Sequence, residues 1–288
     1  MGENKKLNTG ILKGVGFEID HWLDQSLEKG WKDGNGCPPH FSNKTTYRAL
    51  LKEGISQSAL RRLIRGVDAR IRGNFDPPEP RSQSGKNWRF NPLDPHCDIG
   101  SENSSPEVCL EREIVSQSKK RGLKWENQSP VASGLLGPAT DRRRAVDLVH
   151  EIKGDAHYDL IELKWRADNP FFAAMEIICY GLVYLLFRGF REKFTQLDTP
   201  LLKASAIGLR VLAPSAYYDG SMQLLPTMQS HISDAIRAIA ATAGIDMDFR
   251  FLEIPDCQNS EDVAKIANTI IEQGFREILT ARVTKQGG

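Results

Sequence analysis

The chain has 288 residues, of which 40% are hydrophobic and 26% charged, with a formal net charge of +1. That is the composition of one large or two small globular domains, and it excludes a disordered polymer or a chain whose overall charge alone would mark nucleic acid as its partner. No apolar run reaches the roughly 20 charge-free residues of a membrane span, no basic-then-apolar start suggests a signal peptide, and five scattered cysteines (Cys37, Cys97, Cys109, Cys179, Cys257) suit a reducing cytoplasm.

In chain order, Gly10 to Gly16 carries three glycines but no Lys-Ser/Thr, so it is not a phosphate-binding loop. Thr45 to Gly54 reads as a short helix stopped by glycine. Ile55 to Arg65 reads as a second helix capped by Ser56. Between Lys44 and Phe90 stand eleven Lys/Arg against four Asp/Glu. Two short helices joined at a glycine, the second rich in arginine, fit a helix-turn-helix, with Arg61 and Arg65 as candidate phosphate contacts. The plainer reading is a helical hairpin with a solvated basic face. Pro/Ser-rich stretches between Asn74 and Pro106 then read as a linker. The expected organisation is a basic, mainly helical N-terminal domain over residues 1–104 and an α/β domain over residues 105–288.

From Ser105 the periodicities alternate. Ser105-Pro106-Glu107 opens a helix that runs to about Arg121. Lys124 to Ala132 is a short strand, and a hairpin follows, to about Trp165. Asn169-Pro170 opens a long helix to about Arg191. Its apolar run, Phe171 to Phe187, is interrupted by Glu176 and reads as buried. Ala204 to Leu212 is a strand, Pro226 to Ala243 a helix stopped by Gly244, Phe249 to Ile254 a strand, and Ser260 to about Thr280 a last helix.

The hairpin carries the chemistry. Gly154-Asp155 between two apolar runs reads as a two-residue turn. Counting outward from it, Val149 faces Leu160, Leu148 faces Ile161, Val146 faces Leu163, Asp147 faces Glu162 and Ala145 faces Lys164. Apolar residues meet apolar partners, and a slip of one would turn a strand's whole set to the wrong face. Glu162 and Lys164 share a face. Opposed carboxylates at this spacing repel unless a cation neutralises them. Two oxygen donors suit a hard ion such as Mg²⁺; Lys164 acting as the counter-charge is the other reading.

Asp147, the tripeptide Glu162-Leu163-Lys164 and the α-β-β-β-α-β order from about residue 105 to 213 together resemble the PD-(D/E)xK nuclease superfamily. The resemblance implies a restriction-endonuclease-like αβββαβ core with extra C-terminal α/β elements. It implies Mg²⁺, replaceable by Mn²⁺, held by Asp147, Glu162 and the Leu163 carbonyl, with Lys164 acting on the water or the phosphate. The family's first helix often supplies a glutamate. Here Glu111 and Glu113 are both available, and Glu111 shares a face with Val108, Val115 and Ser118. Some branches carry Gln-x-x-x-Tyr after the lysine, where this chain has Glu176-Ile177-Ile178-Cys179-Tyr180; Tyr180 is then a candidate substrate contact. Arg142, Arg143 and Arg144 entering the metal strand, and Lys119-Lys120-Arg121 ending the first helix, would hold the nucleic-acid backbone. The expected activity is phosphodiester hydrolysis, endonucleolytic rather than exonucleolytic, on double-stranded DNA in restriction, defence or repair. A homodimer is compatible with it. The alternative is a nucleic-acid-binding regulator whose nuclease-like scaffold does not cut. A weaker candidate, a zinc site from Cys37 and His40 with His96 and Cys97, lacks finger spacing.

Overall fold

A single mixed sheet organises the chain. The computed structural model describes residues 7, 9–75, 87–97, 105–132, 144–152, 156–166, 168–192, 199–254 and 262–277. Six strands lie across the sheet in sequence order: β1 (Trp125–Pro130), β2 (Ala145–Ile152), β3 (His157–Leu163), β4 (Ala206–Pro214), β5 (Asp246–Ile254) and β6 (Arg276–Glu277). β1, β2 and β3 are antiparallel, β3, β4 and β5 are parallel, and β6 returns antiparallel to β5. The described helices are α1 (Val15–Ser26), α2 (Lys44–Glu53), α3 (Gln57–Asn74), α4 (Pro106–Lys120), α5 (Pro170–Phe190), α6 (Leu225–Ala240) and α7 (Val263–Gln273). The protein is α/β, and the order of elements from α4 to α7 is the one expected from periodicity.

Two successive crossovers, β3-α5-β4 and β4-α6-β5, step in the same direction. The right-handed rule for parallel crossovers puts both helices on one face, and α5, α6 and that sheet face do share one core. The opposite face carries Leu148, Ile161, Leu163, Leu212 and Leu252, covered by α4 and α7. α5 has the sheet on one side and the N-terminal helices on the other, which is why it is apolar all round. Trp22 stacks on Phe171 and Phe41 on Phe172 at 5.7 and 5.4 Å between ring centres. Among the described residues α5 is the one helix long and apolar enough to cross a membrane, and all of that stretch is buried inside the protein.

The expected break at residue 104 is not a break in the core. Leu12, Ile19, Leu60, Ile64 and Val67 belong to the same buried cluster as Phe172, Leu182 and Ile236. The Pro/Ser-rich stretch that suggested a linker lies, over residues 76–86, outside the described residues. α2 and α3 do meet at Gly54, whose φ of 79° needs a glycine, and Ser56 caps α3 by accepting from the Ala59 amide. But α3 runs on to Asn74, well past Arg65, and buries Leu60, Leu63, Ile64, Val67 and Ile71.

Two other expectations need correction. α1 was not foreseen from the sequence. The last helix stops at Gln273 rather than near Thr280, because Gly274 turns the chain at a φ of 72°. The next residues, Arg276 and Glu277, then pair with Glu253 and Leu252 as β6.

A run of charges crosses the sheet on the α4/α7 face. Arg210 reaches Asp159 at 3.0 Å and Asp248 at 2.7 Å; Arg250 joins Asp248 at 2.9 Å and continues to Glu277. Gly208 lies under this run. A Cβ there would stand 2.0 Å from Asp159 Oδ1 and 2.1 Å from Arg210 Nη2. Gly208→Ala should therefore force apart a buried ion pair and lower unfolding free energy by about 2–4 kcal/mol. Gly66→Ala, in α3 with nothing described within 4 Å of the new methyl, should raise it by roughly 0.5–1 kcal/mol. Urea denaturation midpoints of the two variants check the pair; a Gly208→Ala midpoint equal to wild type would mean the ion pair relocates without cost.

Candidate active site

β2 and β3 separate at one end. Their ladder runs from Ile152–His157 to Leu148–Ile161 in the register expected from the turn, although the turn residues Gly154 and Asp155 themselves lie outside the described residues. Beyond Leu148–Ile161 no further pair forms among the described residues. The Leu163 amide donates instead to the Asp147 carboxylate, Oδ2 at 2.9 Å. A side chain has taken a ladder bond, so Asp147 is held in the fork of the sheet. β1 is irregular at the same level. Gln128, opposite Asp147 in the register of its neighbours, has a φ of 51°. A non-glycine residue in the left-handed region inside a strand carries strain, and such strain gathers at functional sites.

Glu162 and Lys164 close β3 and face α5. Lys164 Nζ meets Glu162 Oε1 at 2.8 Å and Glu176 Oε2 at 2.9 Å, with Asp168 Oδ2 at 4.0 Å. Glu162, Lys164 and Glu176 are 1, 4 and 0% exposed. Burial alone would push the lysine toward its neutral form, but Glu162, Glu176 and Asp147 outweigh it and hold the ammonium well above the ordinary lysine range. Tyr180, one turn beyond Glu176, contacts its Oε1 through the hydroxyl at 3.4 Å and is itself buried. The spacing Glu176-x-x-x-Tyr180 thus works as expected on one helix face. The expected substrate role for Tyr180 needs correction: it stands behind Glu176, without access to a ligand.

On the other side of the fork stands Glu111 of α4. It is 3% exposed and accepts from Asn127 Nδ2 at 2.6 Å and from Gln128 Nε2 at 2.7 Å, both on β1. Glu113 instead accepts from Gln117 on its own helix. Burial first, then the Asp147 charge, push the Glu111 carboxyl up to about 7 against the opposing hydrogen bonds and Arg112. Asp147 is therefore close enough to act on both Glu111 and Lys164. The fork brings together four of the residues expected at the site: Glu111, Asp147, Glu162 and Lys164.

The electrostatic argument from sequence is only half met. The counter-charge at Glu162 is Lys164, and the Asp147 carboxylate turns to a backbone amide. Among the described residues no group of three His, Cys, Asp or Glu side chains is placed to hold a metal ion, which also disposes of the Cys37, His40, His96, Cys97 zinc site. What the fork does present is a set of oxygen donors. In an extended strand a residue's N–H and C=O point to the same neighbour, so the Leu163 carbonyl is directed to the edge where its amide meets Asp147. Two carboxylates and a carbonyl suit Mg²⁺, which is held by one or two carboxylates plus substrate phosphates and keeps several waters.

Next to Lys164 a cleft of about 560 Å³ opens beyond the carboxyl ends of β3 and β4, roofed by α2. Open α/β sheets bind ligands at that end. Lys44 and Arg48 of α2 and Arg166 after β3 bring positive charge to it. Arg61 and Arg65 of α3 do not line it, so the basic helix that does is the one not chosen from sequence. The i, i+4 spacing of Lys44 and Arg48 was the available signal. Arg142 and Arg143 lie outside the described residues. Arg144 turns inward and donates to the Thr9 carbonyl at 2.7 Å, and Arg121 pairs with Glu272 of α7 at 3.2 Å; neither is presented as a phosphate contact.

Comparison with known proteins adds nothing to this geometry. No protein-family model matches the chain, and no curated protein and no solved structure does.

Two outcomes test the arrangement without reference to any activity. Lys164→Met should leave buried carboxylates without their cation and cost about 3–5 kcal/mol. Lys164→Met combined with Glu176→Met should lose less than the two single variants together by at least about 1 kcal/mol; additive losses would show that the two residues do not act as a pair. For Glu111, the folded carboxyl holds its proton up to about 7 while the unfolded chain releases it near 4.5. Its contribution to stability is then full below about pH 4.5 and fades as pH rises through 7, by on the order of 3 kcal/mol at most. In chelator, the stability of wild type relative to Glu111→Gln, which cannot titrate, should fall by this order between pH 5 and 8. A pH-independent difference would sink the assignment.

Proposed function

We propose that the protein is a Mg²⁺-dependent nuclease of the restriction-endonuclease-like kind, hydrolysing phosphodiester bonds of DNA. The observation that carries this reading is the fork of β2 and β3, where Asp147 is held against the Leu163 amide while Glu162 and Lys164 close the next strand. The α4-β1-β2-β3-α5-β4 order with an acid on α4 supports it, as does a cleft with Lys44, Arg48 and Arg166 on its walls. Asp147, Glu162 and the Leu163 carbonyl would hold the metal ion. Bound there, a divalent cation would polarise a phosphate oxygen and lower the pKa of a bound water.

The protein's own groups divide the remaining work. Lys164 is too firmly protonated to act as a base, so its role is to offset the charge that develops on the phosphate. Glu111, with a carboxyl pushed up to about 7, is suited to take a proton from water near neutral pH. Glu176 and Tyr180 fix the lysine head. Free cysteines at positions 37, 97, 109 and 179 support the cytoplasmic setting expected for such an enzyme.

One observation favours a second reading, a binding protein built on a scaffold that does not cut. Lys164 is already engaged by two buried glutamates, and among the described residues no three of the acids at the fork form a group placed to hold a metal ion. Incubation with plasmid, linear duplex and single-stranded DNA, with Mg²⁺ or Mn²⁺ and then chelator, decides between them. Metal-dependent cleavage is expected. Asp147→Asn, which keeps an acceptor for the Leu163 amide, should lower it on the order of 100-fold or more. Tight binding without cleavage of any substrate would leave the scaffold reading.

A further inference from the structure

The cleft beside Lys164 has walls of a definite kind. Tyr47 of α2, Trp165 after β3 and Tyr217 after β4 are aromatic; Lys44, Arg48 and Arg166 are cationic. Asp168 and Asp219 also line it, so by formal charge the cations exceed the acids by one. At about 560 Å³ the cleft lies within the roughly 300–1,000 Å³ range of pockets that enclose a small ligand. A double helix does not enter a recess of that size. One nucleotide does.

The walls are fixed by the fold. Lys44 Nζ reaches the Arg166 carbonyl at 3.5 Å, so α2 is tied to the segment that leaves β3. Glu107 at the start of α4 accepts from the Trp165 amide at 2.9 Å and pins that segment from the other side. Asp168 sits at a φ of 63°, a second left-handed residue beside the site. The floor is polar. The Tyr217 hydroxyl is buried and makes no hydrogen bond among the described residues, and the buried Tyr47 hydroxyl lies against Ser221. Ser221, near Tyr47, sends its own hydroxyl proton to the Tyr218 carbonyl at 2.7 Å.

We propose that this cleft takes a single unstacked nucleotide, its base against the aromatic walls and its phosphate against Lys44, Arg48 and Arg166. The proposal rests on the nuclease reading for its biological meaning, and it names the substrate form: DNA that presents a free base, as a single strand, an end or an extruded nucleotide, rather than a continuous duplex. Aromatic stacking of this type tolerates any base, and extrusion is least costly where pairing is already broken. The nucleotide so held adjoins Lys164, because Tyr217 is near enough to the lysine for the ammonium to act on its hydroxyl.

The test uses the full chain in chelator, with no metal and no cleavage. The four 2′-deoxynucleoside 5′-monophosphates are titrated calorimetrically, beside the matching nucleosides and inorganic phosphate. All four nucleotides are expected to bind at one site, each at least tenfold tighter than its nucleoside and than phosphate. Arg48→Gln, an exposed rim charge whose loss leaves the fold intact, should weaken binding about tenfold, in the range of one charge-assisted bond. Tyr217→Leu, checked for an unchanged melting temperature, should do the same. The proposal is overturned if no nucleotide binds saturably, if Arg48→Gln and Tyr217→Leu both leave affinity unchanged, or if inorganic phosphate binds as tightly as the nucleotides. Its fate is separable from that of the activity: nucleotide binding without metal-dependent cleavage removes only the nuclease reading, and cleavage without nucleotide binding removes only this one.

Discussion

The ammonium of Lys164, shut between Glu162 and Glu176, is the constraint on which the site depends. Three ionisable side chains with almost no access to water are stable only as a set, since removing one partner leaves a charge that the interior cannot solvate. The set spans two elements, the end of β3 and the first half of α5. It therefore fixes the height at which α5 crosses the sheet. Phe172 lies under the lysine head, 5.6 Å from Nζ to the ring centre, and stacks on Phe41 from the N-terminal part of the chain. Through these two rings the position of a charged group is coupled to the layer that roofs the cleft. Asn169 strengthens the same joint. It caps α5 by accepting from Phe172 and donates to the Phe41 carbonyl, at 2.9 and 3.0 Å.

That coupling explains why the helices before residue 104 share a core with the sheet. A basic module on a flexible linker would choose targets independently of the chemistry. Here α2 forms a wall of the cleft, and α3 packs against α1, α5 and α6 with Leu60, Leu63 and Ile64 buried. The positive charge counted between Lys44 and Phe90 splits accordingly. Lys44 and Arg48 face the cleft. Arg70 and Arg72 are taken up by Glu18 and Asp68, and Arg89 holds Glu126 at 2.7 Å. A charge run in sequence gave no way to tell these fates apart, because each depends on which long-range partner the fold delivers.

The hairpin was the most legible part of the chain. Leu148 against Ile161 and Val149 against Leu160 followed from the apolar pattern and one Gly-Asp pair, because a strand register has few alternatives once one face is buried. Helix starts at Pro106 and Pro170 were legible for an equally local reason, proline at the first position. The site was legible as residue types and not as contacts. Asp147 opposite Glu162 suggested repulsion, whereas the fork lets Asp147 leave the ladder and accept an amide. Asn127 and Gln128, which hold Glu111, went unnoticed, since a polar pair in a strand has no periodic signature. β6 was missed because it is only two residues long and exists through pairing with β5.

Lys164 answers more than one acid. Around Lys164 stand Glu162, Glu176, Asp168 and Asp147. Counted as formal charges, four acids face one ammonium. Asp168 is 30% exposed at its side chain, so water and the cleft arginines offset it. Arg144 keeps its charge while donating to Thr9, and that charge acts on Tyr180 beside Glu176. Burial, and after it the Asp147 charge, lead Glu111 to keep its proton to near neutrality. A fold that needed only a structural ion pair would be served by one glutamate, since a second acid at 2.9 Å adds desolvation as well as attraction. A divalent cation bound at Asp147 and Glu162, as proposed, would join an ion-pair set already built around Lys164 rather than a bare pair of carboxylates.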